Sequence, residues 1–350
     1  MMETSVNTDR LKYNTSRKIV RPGGRHFKTI EEKERERQET QKKAELQGQS
    51  RARIEARFLT PRAKNFVETP EVAELTNTVQ LWNTTGYPVH IIGPTGCGKT
   101  TLALAVAERL NRPAVWINGD AEMTTSDLVG EYNQYLEERY IDRFVHNVFK
   151  SRETVQKGWV DNPLTLACMH GYSFIYNEFS RTKPEANNVL LSVFEEGVLE
   201  IPTKAGEERY IKVHPDFKAI LTSNSIDYAG VFQPQDALLD RMVAIHMDFY
   251  DFDTEVEIAK AQTGISTKEA KRIVKIVRAL RDRLPDEQKP GTRAAIMIAQ
   301  GLKLLNGHGA ADFEKTCFTV LASKTRRLED MTEKRRLVKE IINETKTAGS

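Results

Sequence analysis

The chain is poor in the features that mark secreted, membrane-spanning or metal-built proteins. Its 350 residues contain only three cysteines, Cys97, Cys168 and Cys317. They are far apart and odd in number, with no CxxC pair. A disulfide framework and a cysteine-built zinc module are thereby excluded, and the three read as reduced, structural thiols. Seven histidines show no HExxH spacing, so no protein-built zinc site is expected. No apolar run reaches about 18 residues, which excludes a membrane-spanning helix. The opening segment MMETSVNTDRLKYN has no apolar stretch, so no secretory signal is expected and the reading is cytoplasmic.

What is present is a charged chain with room for about two domains. Apolar residues make up 39% and charged residues 29%. The net charge of +3 hides an asymmetry. Residues 1–65 carry roughly +8 and the remainder roughly −5, a basic arm on a mildly acidic body. Such an arm suits an acidic partner or is simply solvated. No zinc finger, RNA-recognition module or helix-turn-helix accompanies it, so nucleic acid is disfavoured as a partner.

Three regions are expected. Residues 1–60 form the arm, helix-forming in part but with almost no apolar stripe. Residues 61–250 alternate short apolar runs with helical segments. The first helix spans Thr69–Gly86, with Thr69 as N-cap, Pro70 at the first helical position, and Val72, Leu75, Val79 and Leu81 as apolar points. Strands are expected at Val89–Ile92, Ala114–Ile117, Tyr172–Asn177, Phe217–Asn224 and Met242–Met247. Runs this short, apolar on both faces and separated by helices, indicate a parallel sheet sandwiched by helices. Residues 251–350 turn helical, with a capping box at Ser266–Glu269, and read as a small all-helical lid ending in a charged helix.

GPTGCGKT (Gly93–Thr100) fits G-x-x-x-x-G-K-[ST] between a strand and a helix. Gly93, Pro94, Thr95, Gly96, Cys97, Gly98 and Thr101 would shape a phosphate cradle of backbone N–H groups at a helix N-terminus. Lys99 would reach the β- and γ-phosphates of ATP, and the Thr100 hydroxyl would coordinate Mg²⁺. A second apolar strand ends in Asn177 and Glu178, where Asp-Glu is usual. Glu178 is placed to activate water, or else is a surface residue at a strand end. Asn177 would face Mg²⁺ through a bound water, with one charge fewer than an aspartate. Asn224 ends a third strand, where it could touch the γ-phosphate or simply favour a turn. Arg241, before the last strand, could stabilise transferred charge or form a surface pair with Asp240. NKxD and LSGGQ are absent, which disfavours a GTPase and an ABC cassette.

This order of motifs resembles the AAA+ superfamily. Asn177–Pro202 and Leu221–Met242 resemble its MoxR type, with an insertion within residues 130–162 and a hairpin near Val198–Val213. The segments NFVETPEV, GYPVHIIGPTGCGKTTLA, TTSDLVGEY, WVDNPLTLACMHGYSFIYNEFSRTKPEANN and YAGVFQPQDALLDRM are similar to the GvpN family of gas vesicle proteins, over roughly residues 62–305. The resemblance implies a P-loop AAA+ α/β domain with an all-α lid, and a homo-oligomeric ring, commonly a hexamer. It implies Glu178 as catalytic base, Asn224 as first sensor, Arg241 acting on the neighbour's γ-phosphate, and Arg293 as second sensor on the lid. Arg181 matches a basic residue of the family without an assigned role. The implied function is ATP-driven assembly or remodelling, associated with gas vesicles, on a shell or shell-binding protein. A MoxR-type motor for a metalloenzyme or chelatase would share the same motifs. A nucleotide-gated scaffold with little hydrolysis is a third reading, motivated by Asn177; slow hydrolysis is expected.

Overall fold

The computed structural model describes residues 63, 65–137, 154–201, 209–225, 231–305, 309–322 and 328–347. The basic arm over residues 1–60 lies outside them, as do residues 138–153 of the expected insertion and 202–208 of the expected hairpin. In chain order the elements are α1 (Pro70–Thr84), β1 (Val89–Gly93), α2 (Lys99–Arg109), β2 (Ala114–Asn118), α3 (Thr125–Val129), β3 (Gly130–Glu137) and β4 (Thr154–Asp161). Next come α4 (Pro163–His170), β5 (Ser173–Asn177), α5 (Pro184–Asn187), α6 (Val189–Glu195), β6 (Val198–Ile201), β7 (Arg209–Lys212) and β8 (Lys218–Asn224). The chain continues through α7 (Asp236–Leu239), β9 (Val243–His246), α8 (Phe252–Thr263), α9 (Thr267–Arg283), α10 (Thr292–Leu304), α11 (Ala310–Leu321) and α12 (Leu328–Thr347).

Five strands form one parallel sheet in the order β2-β5-β8-β1-β9. No two neighbours are consecutive in sequence, so every connection crosses over a face and leaves helices on both sides. Alternation along each strand divides the core. Phe174, Tyr176, Ala219 and Leu221 pack on one face with Leu164, Leu190 and Leu238. Val89, Ile91, Ile175 and Ile220 pack on the other with Val72, Val79, Leu102 and Val106. The antiparallel pairs β3/β4 and β6/β7 stand apart from this sheet.

Two expectations need correction. Leu81 does not join the apolar face of α1; it is exposed. At 100° per residue Val72 and Val79 share a side, whereas Leu81, nine positions after Val72, points the opposite way. The strand at Met242–Met247 is not covered on both faces. β9 is the sheet edge, and its residues alternate between half-buried and exposed. Within the five-stranded sheet, the central strands β1, β5 and β8 are buried almost throughout.

α1 starts where expected: the Thr69 side chain accepts from the Val72 N–H, and Pro70 opens the helix. The Ser266–Glu269 capping box opens α9. Helices α8 to α12 bury their own core, including Val256, Ile273, Val277, Leu280, Ile298, Phe313 and Ile341.

A buried ionic network ties these helices to the sheet. Glu255, 1% exposed, accepts from Arg281 (2.7 Å), Arg278 (3.0 Å) and Thr292 (2.8 Å). Arg278 also donates to the Tyr250 carbonyl, and Arg281 to the Pro290 carbonyl. The carboxylate thus joins the end of the sheet region to the start of α10.

Candidate functional site

Because the sheet is parallel, the loops following β1, β2, β5 and β8 meet at one edge, where open α/β sheets place their ligands. The register matches their ends: Gly93 pairs with Asn224, and Asn118 with Asn177. The loop Gly93–Thr100 turns back at this edge through Gly96 (φ 82°) and Gly98 (φ 108°), a backbone region that side chains with a Cβ rarely adopt. Gly98 caps α2, so the first N–H groups of that helix face the loop.

Lys99 is buried, and each of its three N–H donors has an acceptor. Nζ donates to the carbonyls of Gly93 (2.9 Å) and Pro94 (2.7 Å) and to Asn224 Oδ1 (3.0 Å). Burial lowers its pKa, opposed by the nearby Cys97 and Glu178 and reinforced by Arg293. Arg293 stands beside the same loop, its Cβ 3.6 Å from where a Cβ on Gly96 would lie. Cys97 is fully buried in the core under the loop, and burial raises its thiol pKa.

Thr100 Oγ1 donates to Asn177 Oδ1 at 2.8 Å, and Thr222 Oγ1 donates to the same oxygen at 2.8 Å. Asn177 Nδ2 donates to Asn118 Oδ1 at 2.9 Å. Glu178 has φ 53°, a left-handed conformation uncommon for a residue with a side chain. Its N–H donates to Thr222 Oγ1 (3.1 Å), and its carboxylate takes a bond from Arg181 (2.8 Å).

These residues fit a small hard cation held mainly by phosphate oxygens and water. The Thr100 proton is directed to Asn177, which leaves the hydroxyl lone pairs free for a metal. Among the described residues no group of three or more His, Cys, Asp or Glu could hold a metal ion. That donor set suits Mg²⁺, which keeps several waters, better than a cation needing an all-protein cage.

Beside the loop lies a cavity of about 320 Å³. Its walls include Phe66 and Val67, the Gly96–Gly98 backbone, Thr101, Tyr250, Ile258, Arg293 and Ile296. Gly291 packs directly on the loop: a Cβ there would lie 2.8 Å from the Thr95 and Gly96 carbonyls. The start of α10, carrying Arg293, is thereby pressed against the phosphate loop.

Lys99, Thr100, Asn177, Glu178, Asn224 and Arg293 thus come together at one edge. Arg241 does not join them. Val243, two residues later, pairs with Val89 at the opposite end of β1 from Gly93. Four residue steps along the strand separate the two ends, roughly 13 Å. The Arg241 guanidinium instead bonds Glu195 (2.9 Å through Nε) and the Ala237 carbonyl. Sequence reasoning missed Asn118 and Thr222, and of the cavity wall it found Gly96–Gly98, Thr101 and Arg293 but missed Phe66, Val67, Tyr250, Ile258 and Ile296. Asn118 ends its strand with a polar residue just as Asn177 does, which is the signal that was available.

Comparison with known proteins places this geometry. A family model described as an AAA domain of the dynein-related subfamily matches residues 88–242. Protein NorQ of Paracoccus denitrificans is 26% identical over 60% of this chain and 71% of its own. Gas vesicle ATPase GvpN of Haloferax mediterranei is 53% identical over 81% of both chains. Gas vesicle ATPase GvpN1 of Halobacterium salinarum is 50% identical over 91% of both. Identity of one residue in two, across nine-tenths of both chains, leaves no ambiguity of family: the chain belongs to the gas vesicle ATPase GvpN family.

Proposed function

We propose that the chain binds ATP·Mg²⁺ at the carboxyl edge of its sheet, hydrolyses it slowly, and works as a homo-oligomeric ring, commonly a hexamer, that assembles or remodels a gas vesicle shell or shell-binding protein. The observation that carries the reading is the convergence of Lys99, Thr100, Asn177, Glu178 and Asn224 on one edge, with Arg293 against the same loop.

In this reading Lys99 exchanges its carbonyl partners for β- and γ-phosphate oxygens, while Asn224 remains within reach of the γ-phosphate. The backbone N–H groups of Gly96, Gly98 and Lys99 neutralise phosphate charge. The cavity beside the loop takes the nucleoside, its apolar walls against the base. When bound, Mg²⁺ would draw charge from the β- and γ-phosphate oxygens. Thr100 supplies its hydroxyl oxygen toward that cation, and Asn177 keeps the hydroxyl turned the right way. Glu178 orients a water and takes its proton. The reading of slow turnover rests on the neutral amide at 177 and on the Arg181 bond that engages Glu178.

The basic arm, the lid and the association with gas vesicles belong to this proposal too, as does the cytoplasmic location; the gas vesicle link follows from the relatives' names. Gas vesicles float, so one experiment addresses both halves. The purified chain is mixed with purified gas vesicles and ATP·Mg²⁺, and phosphate release and co-flotation are read together. The parent chain is expected to release phosphate and to float with the vesicles in a nucleotide-dependent way. Glu178→Gln is expected to lose at least 100-fold in turnover, roughly the contribution of a positioned general base, and to retain nucleotide binding. Unchanged turnover in that variant would remove Glu178 from the chemistry, and absence of nucleotide-dependent flotation would remove the vesicle client.

A further inference from the structure

The amide at position 177 is matched by a second amide on the neighbouring strand. Asn118 and Asn177 are register partners across β2 and β5. Two residues before Asn118, on the same face of β2, the Trp116 indole donates through Nε1 to Asn118 Oδ1 at 3.1 Å. An indole N–H can only donate. The Asn118 atom facing it must therefore be the oxygen. That same oxygen receives Asn177 Nδ2 at 2.9 Å. Asn177 must in turn present its nitrogen to Asn118, which leaves its oxygen to accept from Thr100 and Thr222, both at 2.8 Å. A chain of donors and acceptors thus runs from Trp116 to the Thr100 hydroxyl, with its direction set at the indole end.

We propose that Asn118 is a positioning residue that makes 177 an amide position: pinned by Trp116, it requires a hydrogen-bond donor there, and Asn177 answers by fixing the Thr100 hydroxyl for the nucleotide-bound cation. Asn177 is then one half of a pair, in which the amide gives up a charge near the cation and gains a fixed Thr100 hydroxyl. An aspartate at 177 would set a carboxylate oxygen against Asn118 Oδ1. Rotating the Asn118 amide to relieve that contact would aim its NH₂ at the indole N–H. Either way one bond is lost, and the side chain at 177 is held over Thr100 by the two threonine hydroxyls alone. An aspartate at 118 is different, because it offers only acceptors and keeps both incoming bonds.

The inference rests on the ATP·Mg²⁺ reading of the site, and the test separates the two. Binding of a fluorescent ATP analogue to the full chain is measured in a magnesium titration, with thermal melting of each variant as a control for folding. Asn177→Asp and Asn118→Asp add the same charge to adjacent positions of one pair. Magnesium-dependent affinity is expected to fall roughly tenfold further in Asn177→Asp than in Asn118→Asp, about the effect of one mismatched hydrogen-bond contact. Adding Trp116→Phe to Asn177→Asp frees the Asn118 amide to rotate and is expected to restore most of that loss. Equal effects of the two aspartates, tighter binding by Asn177→Asp, or no rescue by Trp116→Phe would each overturn the proposal while leaving the nucleotide site intact. If the parent chain shows no analogue binding that Lys99→Ala removes, the nucleotide reading falls and this inference falls with it.

Discussion

Glu178 occupies a left-handed backbone position, a conformation that costs on the order of 1–2 kcal/mol for a residue with a Cβ. Its N–H is held by Thr222, and its carboxylate is held by Arg181 three residues on. Arg181 is 54% exposed and Glu178 34% exposed, so water screens this ion pair. Such pairs contribute about 0.2–1 kcal/mol. With Glu178 as the proposed catalytic base, the Arg181 bond is therefore a weak restraint on it and not a lock. Arg181→Ala is expected to raise steady-state ATP turnover about two- to fivefold with nucleotide affinity unchanged, since a barrier lowered by up to 1 kcal/mol gives no more. A fall in turnover would instead make Arg181 a group that aligns Glu178 for the water.

Among the elements, β1 carries a feature that its apolar run disguises. His90 lies at the centre of the sheet, 3% exposed, with Nε2 2.7 Å from Ser223 Oγ and its ring edge-on to Phe179. Burial, helped by the charge of His246, lowers its pKa from 6.5 to about 3. The folded chain thus keeps His90 neutral, while the unfolded chain protonates it below about pH 6.5. Its contribution to stability is complete above pH 6.5 and declines as pH falls toward 3. At pH 5 the loss is about 2 kcal/mol. His90→Gln is expected to be less stable at pH 7.5, yet to lose about 2 kcal/mol less than the parent between pH 7.5 and 5, measured by denaturant unfolding. Equal acid losses would show that His90 does not set this slope.

The same strands show why much of the fold was legible. Short apolar runs bounded by turn residues mark the buried centre of a parallel sheet, and the motif between β1 and α2 names its own chemistry. Position within the sheet was not legible: nothing local in Val243–His246 says that it is an edge. Leu81 is apolar in type but lies half a turn away from Val72 around α1, so residue type alone does not place it in the core. The cavity wall comes from segments near residues 66, 97, 250, 258 and 293, which only the folded chain brings together. Asn118 was hidden for a similar reason, since its role depends on a register with a strand 59 residues away.

At the scale of the whole molecule, the sheet sets two ends against each other. The phosphate loop follows Gly93 at the carboxyl end of β1, whereas Arg241 precedes the strand that pairs with its amino end. A side chain held by Glu195 and Ala237 at that far end cannot serve the Lys99 of its own chain without breaking the sheet. If Arg241 takes part in hydrolysis, it must therefore do so at the site of another copy, as in a head-to-tail ring. Arg241→Ala chains keep an intact loop but offer no arginine to a neighbour, and Lys99→Ala chains offer the arginine but have no working loop. Each variant alone is expected to be inactive. Mixed one to one at concentrations that permit assembly, an Arg241→Ala chain that receives its arginine from a Lys99→Ala neighbour has a complete site. Random mixing places such pairs at about a quarter of all interfaces, so about a quarter of parental turnover is expected if sites act independently. An arginine acting within its own chain predicts none, because no single chain in the mixture is whole. A mixture that stays inactive while assembling as the parent does would therefore reject the shared site, whereas parental turnover by Arg241→Ala alone would return Arg241 to a surface ion pair with Glu195.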